Sequence, residues 1–566
     1  MSIEESLSMQ PASQGHPVPG SHLYVQTSEI RNAVIHYQRA EDELHAVDGA
    51  HEDGGFDVIV CGAGSGGSTV AGRLAEDASL SVLLLEAGPD DQRGSVLDPQ
   101  LWVTNLGSDM TWNFVAEPSE ELGGRAVPYF MGRGLGGGGS VNVTVWARGR
   151  RADWDSYART TADEAWDYEH ILNVYRRVEA YHGQSDPRRR GTEGPMWIEQ
   201  LSPAHPFLAA VERAANNAGI PSVNSLNGEV MEQDAGTAFR DADVHDGRRQ
   251  SPFRSYVYPK REQPNVTVLT GATVSRVLFD ARRARGVLLT DGRSFTANKQ
   301  VILSLGAVNT PAVLLRSGIG DRQELQRLGI SVVQHLPGVG RNLHDHVMVP
   351  LIWPAADGAD LPAPLVAVNG IYWNLDDPHG HAVALYVDAL AVPSETSAER
   401  RTIPDRAVTF LTGIRLRSRG HVTLTSDADD AAPVIEHGYY TDPKDLPEVA
   451  EILRTATKIG DSDELRPFLS RRAFPDADAD DAAFLDYIRE ATSTFWHQSG
   501  TAAMGNDETS VVDSRLRVHG VDALRIADTS ILPHVTVANT MAPAVVIGEQ
   551  CAQFTQDDLV EGPRSE

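Results

Sequence analysis

The sequence predicts an α/β architecture elaborated by a second, α+β layer, and three observations carry that prediction. A buried strand, a glycine turn and a helix start follow one another without a gap in 56–76. Apolar strands recur at 81–86 and between 266 and 303, the last running into a helix; residues 346–490 mix short strands with Pro- and Asp-rich joints. The first two observations describe a Rossmann-like sheet with covering helices. The third describes a second, more irregular layer.

The first unit is the most specific. Gly62, Gly64 and Gly67 fit G-x-G-x-x-G between the buried strand and the helix start of the run Phe56–Glu76, with Cys61 inside the glycine turn. The first glycine permits the tight turn, the second lets backbone approach a pyrophosphate, and the third allows close helix–strand packing. Unpaired N–H groups and the positive helix end then favour an anion. The next strand, 81–86, ends on Glu86 at about the twenty-residue spacing of a ribose-binding acid. Strand, glycines, helix and acid in this order predict a bound dinucleotide.

A second match, Gly132, Gly134 and Gly137, lies in the wrong context for another nucleotide site. The β-branched residues Val141, Val143, Thr144 and Val145 that follow make a poor opening turn for a helix. Its glycines instead suggest backbone pressed against something flat, such as a cofactor ring. Farther on, strands are expected at Val266–Leu269, Val274–Leu278, 286–290 and 299–306. A helix with Pro311 in its first turn follows. The acidic run 476–481 reads as a solvated loop.

At 566 residues the chain has room for two or more domains, or one with a large insertion. Its net charge of −29 disfavours nucleic acid and anionic membrane as partners and is compatible with a cationic substrate. No run approaches the roughly eighteen apolar residues of a membrane helix, and no secretory signal is visible near Met1. Cys61 and Cys551 are too few for a disulfide framework or a cysteine metal site. The cytoplasm is therefore the expected compartment. The first fifty-odd residues read as a loose extension with one possible helix, suggested by Ile30, Val34 and Ile35.

Near the C-terminus, His497 stands among aromatics in 494–505, and Asn539 follows in 528–549. With 19 histidines in the chain, His497 alone is only a candidate base. His344, Asp345 and His346 could suggest a metal or relay, but no third ligand follows at a recognised spacing, and the segment is read as structural.

Taken together, Gly62–Gly67 with Glu86, Gly132–Asn142, Gly306–Gly320, 337–346, and 418–424 with 442–446 resemble the glucose–methanol–choline (GMC) oxidoreductases over about residues 55–552. That resemblance implies FAD, a Rossmann-like FAD-binding domain and a discontinuous substrate-binding domain built on a sheet. The implied division is 1–54 extension; 55–345 FAD domain, with substrate-domain insertions at roughly 155–225; 346–490 mainly substrate domain; 491–555 return to the FAD domain; and 556–566 tail. It implies oxidation of a small-molecule alcohol to a carbonyl by hydride transfer to flavin N5, with His497 as base and Asn539 as its hydrogen-bonding partner. Cofactor contacts are implied at Gly62, Gly64, Ser65, Gly66, Gly67 and Glu86, at Gly134, Gly137, Gly138, Ser140 and Asn142, and at Val274, Asp528, Asn539 and Thr540. Val141 occupies the position where some members carry a histidine bonded to the flavin, so FAD is expected to be non-covalent. A flavin-containing lyase of the hydroxynitrile type is the alternative on the same fold; an NAD enzyme is disfavoured because no second nucleotide unit exists.

Overall fold

The computed structural model describes residues 23–25, 35–37, 55–184, 186–201, 205–233, 235–362, 369–374, 382–388 and 406–561. The chain divides into two compact units, 1–52 and 53–566. In the first unit, Leu23–Val25 pairs antiparallel with Ile35–Tyr37. A strand thus stands where part of a helix was expected, in keeping with the β-formers Ile35 and Tyr37. Ile30 and Val34 lie outside the described residues.

In the larger unit, four neighbouring parallel strands run in the order Val266–Leu269, Val82–Leu85, Phe56–Cys61 and the end of Ser294–Leu303, with Leu524–Ile526 beside the last. Strands buried on both faces read as continuous Val/Ile/Leu runs, as 56–61 and 82–85 do. The first half of Ser294–Leu303 leaves this layer and pairs antiparallel with Arg283–Leu289, which pairs with Val274–Asp280. Helix Ser65–Leu74 covers the sheet and packs on the long C-terminal helix Met541–Glu561. Their contact depends on missing side chains: a Cβ on Gly548 would lie 2.6 Å from the Gly66 carbonyl oxygen.

The helix after the fourth strand spans Gly306–Arg316 and places Pro311 in its interior rather than its first turn. Proline cannot donate to the carbonyl four residues earlier. The Ala307 carbonyl accepts instead from the Thr501 hydroxyl at 2.6 Å, which makes the proline tolerable.

The second layer is more regular than its sequence suggests. Six strands form an antiparallel sheet in the order Ala235–Phe239, Asn369–Asn374, Ala382–Asp388, Ala407–Arg415, His346–Pro354, Ser493–Thr494. One face, with Val347, Val349, Leu351 and Trp353, packs on helices Pro206–Asn217, Asp445–Gly460 and Asp481–Ala491. The alternate residues of the same strand, His346 and Met348, point the other way. Across the strand pair they stand opposite Arg415 and Gly413, with Leu411 farther along. Residues 145–242 add a four-stranded sheet of Val145–Trp146, Asp241–Ala242, Met196–Gln200 and Glu179–His182. The acidic run 476–481 is a surface segment that ends with Asp480 capping helix Asp481–Ala491.

Candidate active site

A cavity of about 650 Å³ runs from the first glycine turn to His497 and Asn539. That volume lies within the range of cofactor and ligand sites. One wall is glycine backbone. Gly137 adopts φ +52°, and a Cβ there would lie 2.7 Å from the Gly64 Cα, so the two glycine stretches abut. Gly136 N–H also donates to the Ala63 carbonyl at 2.8 Å. A Cβ on Gly64 would find its nearest neighbour 4.0 Å away, and one on Gly138 would meet nothing within 4 Å. These two positions are left bare toward the cavity.

Of the residues implied as cofactor contacts, Gly62, Gly64, Ser65, Gly66, Glu86, Gly137, Gly138, Asn142, Val274, Asp528, Asn539 and Thr540 line this cavity. Gly67, Gly134 and Ser140 are not among the lining residues. A Cβ on Gly67 would lie 1.9 Å from the Gly62 carbonyl oxygen, so this glycine serves packing. Gly134 N–H donates to Glu86 at 2.9 Å, and the Ser140 hydroxyl donates to the Leu135 carbonyl at 2.6 Å. A one-turn helix, Gly138–Val141, stands where no helix was expected, and it stops at Val141, the first of the β-branched residues.

Glu86 is a clamp as well as a lining residue. Its carboxylate accepts from the N–H groups of Ala63, Gly88 and Gly134 at 2.8–2.9 Å, joining both glycine stretches. Burial raises its pKa while these donors oppose the shift. A carboxylate has about four acceptor sites, so one remains for a ribose hydroxyl. Asp528 accepts from Gly306 N–H at 3.0 Å and Thr310 hydroxyl at 2.6 Å, tying the helix of residues 306–316 to the far side of the cavity.

The reactive end is assembled by the edge of the six-stranded sheet. Ser493 and Thr494 pair with Met348 and Val347, and Ser499 exchanges backbone hydrogen bonds with His344. The segment 493–499 therefore runs antiparallel to 344–348 and brings His497 opposite Asp345 and His346. The Asp345 carboxylate accepts from the His497 backbone N–H at 2.8 Å, the Tyr439 hydroxyl at 3.1 Å and the Thr494 hydroxyl. Burial pushes its carboxyl up to about 6. Trp496, immediately before His497, is held at φ +60°, a strained conformation for a bulky residue.

His497 is buried but reaches the cavity. Its Nδ1 lies 2.8 Å from His346 Nδ1, and its Nε2 lies 3.2 Å from Asn539 Nδ2. Burial lowers its pKa to about 3, and the same cause holds His346 well below the usual imidazole range, so both rings are neutral near pH 7. One proton arrangement satisfies both contacts with Nε2 as acceptor: His497 Nδ1–H donates to His346, and the Asn539 amide donates to Nε2. His346, read from sequence as structural, is thus the residue that sequence reasoning missed. Among the described residues no acidic, histidine or cysteine cluster suits a metal ion.

The cavity fits a flavin dinucleotide at three points. Bare glycine backbone and the N-terminus of helix Ser65–Leu74 face the space a pyrophosphate needs, Val274 and Thr290 line one end, and the wall Gly137–Asn142 leads toward His497.

Profiles described as GMC oxidoreductase match residues 56–348 and 417–548. An uncharacterised GMC-type oxidoreductase of Mycobacterium tuberculosis (strain ATCC 25618 / H37Rv) is 34% identical over 528 residues, covering 88% of this chain and 98% of the relative. The oxygen-dependent choline dehydrogenase of Cronobacter sakazakii is 33% identical over 534 residues, covering 88% and 94%. Among solved structures, pyridoxine 4-oxidase from Mesorbium loti superposes with a TM-score of 0.83 at 26% identity, covering 89% of this chain and 99% of that one. Apart from Leu411, the residues lining the cavity fall within the matched segments, and the chain belongs to the GMC oxidoreductases, a family of FAD-dependent flavoproteins.

Proposed function

We propose that this protein oxidises the alcohol group of a small, apolar or aromatic substrate to a carbonyl, with His497 as base. The observation that carries the reading is the pair of contacts at His497. Its Nε2 faces Asn539 Nδ2 at 3.2 Å in the cavity, and burial keeps the ring unprotonated. A substrate hydroxyl entering between the two donates to Nε2 and accepts from the Asn539 amide. His497 then removes the hydroxyl proton as the carbinol carbon gives up its hydride. Bound FAD supplies the hydride acceptor. We further propose that it is held without a covalent bond, because the side chain of Val141 has no nucleophilic atom.

The substrate class follows from the lining. Around the reactive end stand Trp102, Phe495, Trp496 and Leu411; Trp102 meets Trp496 edge-on at 6.1 Å, and Phe495 meets His497 at 5.0 Å. The acids among the described lining residues are Glu86, Asp429, Asp430 and Asp528. Glu86 is bound by the glycine stretches, Asp429 pairs with Arg276, beside Val274, and Asp528 accepts from Gly306 and Thr310. Net charge describes the outer surface and says little about this wall, so the cationic preference suggested by −29 gives way to an apolar one. Choline dehydrogenases among the relatives make a cationic alcohol the natural competitor.

A panel of aryl, aliphatic and amino alcohols, choline included, tests the reading by anaerobic loss of flavin absorbance near about 450 nm. Rapid bleaching by aryl or apolar alcohols supports it. Bleaching by choline alone overturns the substrate class, and substrate cleavage over an unbleached flavin identifies a lyase instead.

A further inference from the structure

Arg249 is a buried cation one residue behind the cavity wall. Its side chain is 0% exposed. Its guanidinium donates to the carbonyls of Val96 at 2.9 Å and Gly139 at 3.3 Å, and to Asn142 twice: the side-chain oxygen at 2.5 Å and the carbonyl at 2.7 Å. All four acceptors are neutral. Among the described residues no carboxylate comes within 4 Å of it. A buried charge without a counter-ion is costly, and hydrogen bonds to neutral oxygens offset only part of that cost.

Two further features converge on the same segment. Thr144, fully buried and β-branched, is held at φ +58°, a conformation such residues rarely adopt. Its N–H donates to the Asn142 side-chain oxygen at 2.9 Å, while Arg240 donates to the Val143 carbonyl at 2.5 Å. Asp243, fully buried, is the acid whose charge acts most on Arg249, and neither of its carboxylate oxygens has a hydrogen-bond partner. Burial pushes its carboxyl up to about 7, so it only partly neutralises the guanidinium near neutral pH. A strained loop, two arginines and an underused acid all lie behind the stretch whose front face, Gly137–Gly139 with Val141–Val143, lines the cavity.

We propose that Arg249 is a positioning residue for the flavin, fixing Asn142 from behind and placing a permanent positive charge that favours the reduced, more electron-rich cofactor. The inference rests on FAD occupying the cavity as proposed above. A fixed charge in a low-dielectric wall acts strongly on charge gained in front of it and requires no rearrangement. A purely structural arginine would stabilise the loop without changing the redox equilibrium.

The test is the midpoint potential of the bound flavin together with its affinity for sulfite, which adds more readily to an electron-poor flavin. Arg249→Met is expected to retain FAD, lower the potential and raise the sulfite Kd at least roughly tenfold, equivalent to about 1.4 kcal/mol. Arg249→Lys is expected to recover part of both shifts. At pH 8.5, where Asp243 carries its charge, Asp243→Asn is expected to move both readouts the opposite way. An Arg249→Met holoenzyme with wild-type potential and sulfite affinity overturns the proposal. Should that variant not fold or not hold FAD, wild-type values in Asp243→Asn overturn it. A wild-type protein that takes up no FAD overturns the flavin reading itself, a result distinct from flavin bound at an unmoved potential.

Discussion

The Nδ1 atoms of His346 and His497 lie 2.8 Å apart, on the side of the His497 ring opposite Asn539. A proton held between them fixes which nitrogen of His497 is free to act. The pairing arises from strand register: Thr494 is bonded beside Val347, and Phe495 N–H donates to the His346 carbonyl at 2.9 Å. A sheet edge thus sets the tautomer of the proposed base.

His346→Leu removes that acceptor and is expected to slow anaerobic flavin reduction by roughly one to two orders of magnitude, with FAD content unchanged. His346→Gln, whose amide oxygen can still accept, should recover part of the rate. Equal rates in all three proteins would show that His346 only fills space.

The absence of a nucleophilic side chain at position 141 gives a simpler test. Val141 lines the cavity and packs with Val96 and Met110. Acid denaturation of the purified protein should release the yellow chromophore into the supernatant; colour left in the precipitate contradicts non-covalent binding.

Thr501→Val keeps the shape of the side chain but removes the donor that serves the Ala307 carbonyl. With Pro311 unable to replace it, a buried acceptor is left unsatisfied. The expected cost is about 1–3 kcal/mol, read by denaturant unfolding.

Stability should also carry the mark of a buried neutral imidazole remote from the proposed chemistry. His437 is lowered to about 4 by burial, against about 6.5 when exposed. Because the folded value lies below the unfolded one, the unfolded chain binds more protons between them. The contribution is full above about pH 6.5, falls as pH drops toward 4, and amounts to roughly 3 kcal/mol at most. His437→Asn should therefore flatten the loss of thermal stability between pH 6.5 and 4, and an unchanged slope counts against a neutral buried ring.

The parts of the site made by backbone were the most legible in sequence. Gly62, Gly64 and Gly137 are positions where a Cβ would collide or would intrude on the cavity, so residue type alone betrays them. His346 carried no comparable mark, since its role comes from a partner 151 residues away. The strands His346–Pro354 and Ala407–Arg415 are buried along almost their whole length, which erases the alternation that announces a half-exposed strand. Pro311 misled because the compensating donor, Thr501, is distant in sequence.

Anaerobic rapid mixing of wild-type and His497→Ala holoenzymes with an aryl alcohol tests the central claim most directly. The variant is expected to hold FAD with a normal spectrum yet reduce it slower by roughly two or more orders of magnitude. Flavin reduction at the wild-type rate in His497→Ala would contradict the account.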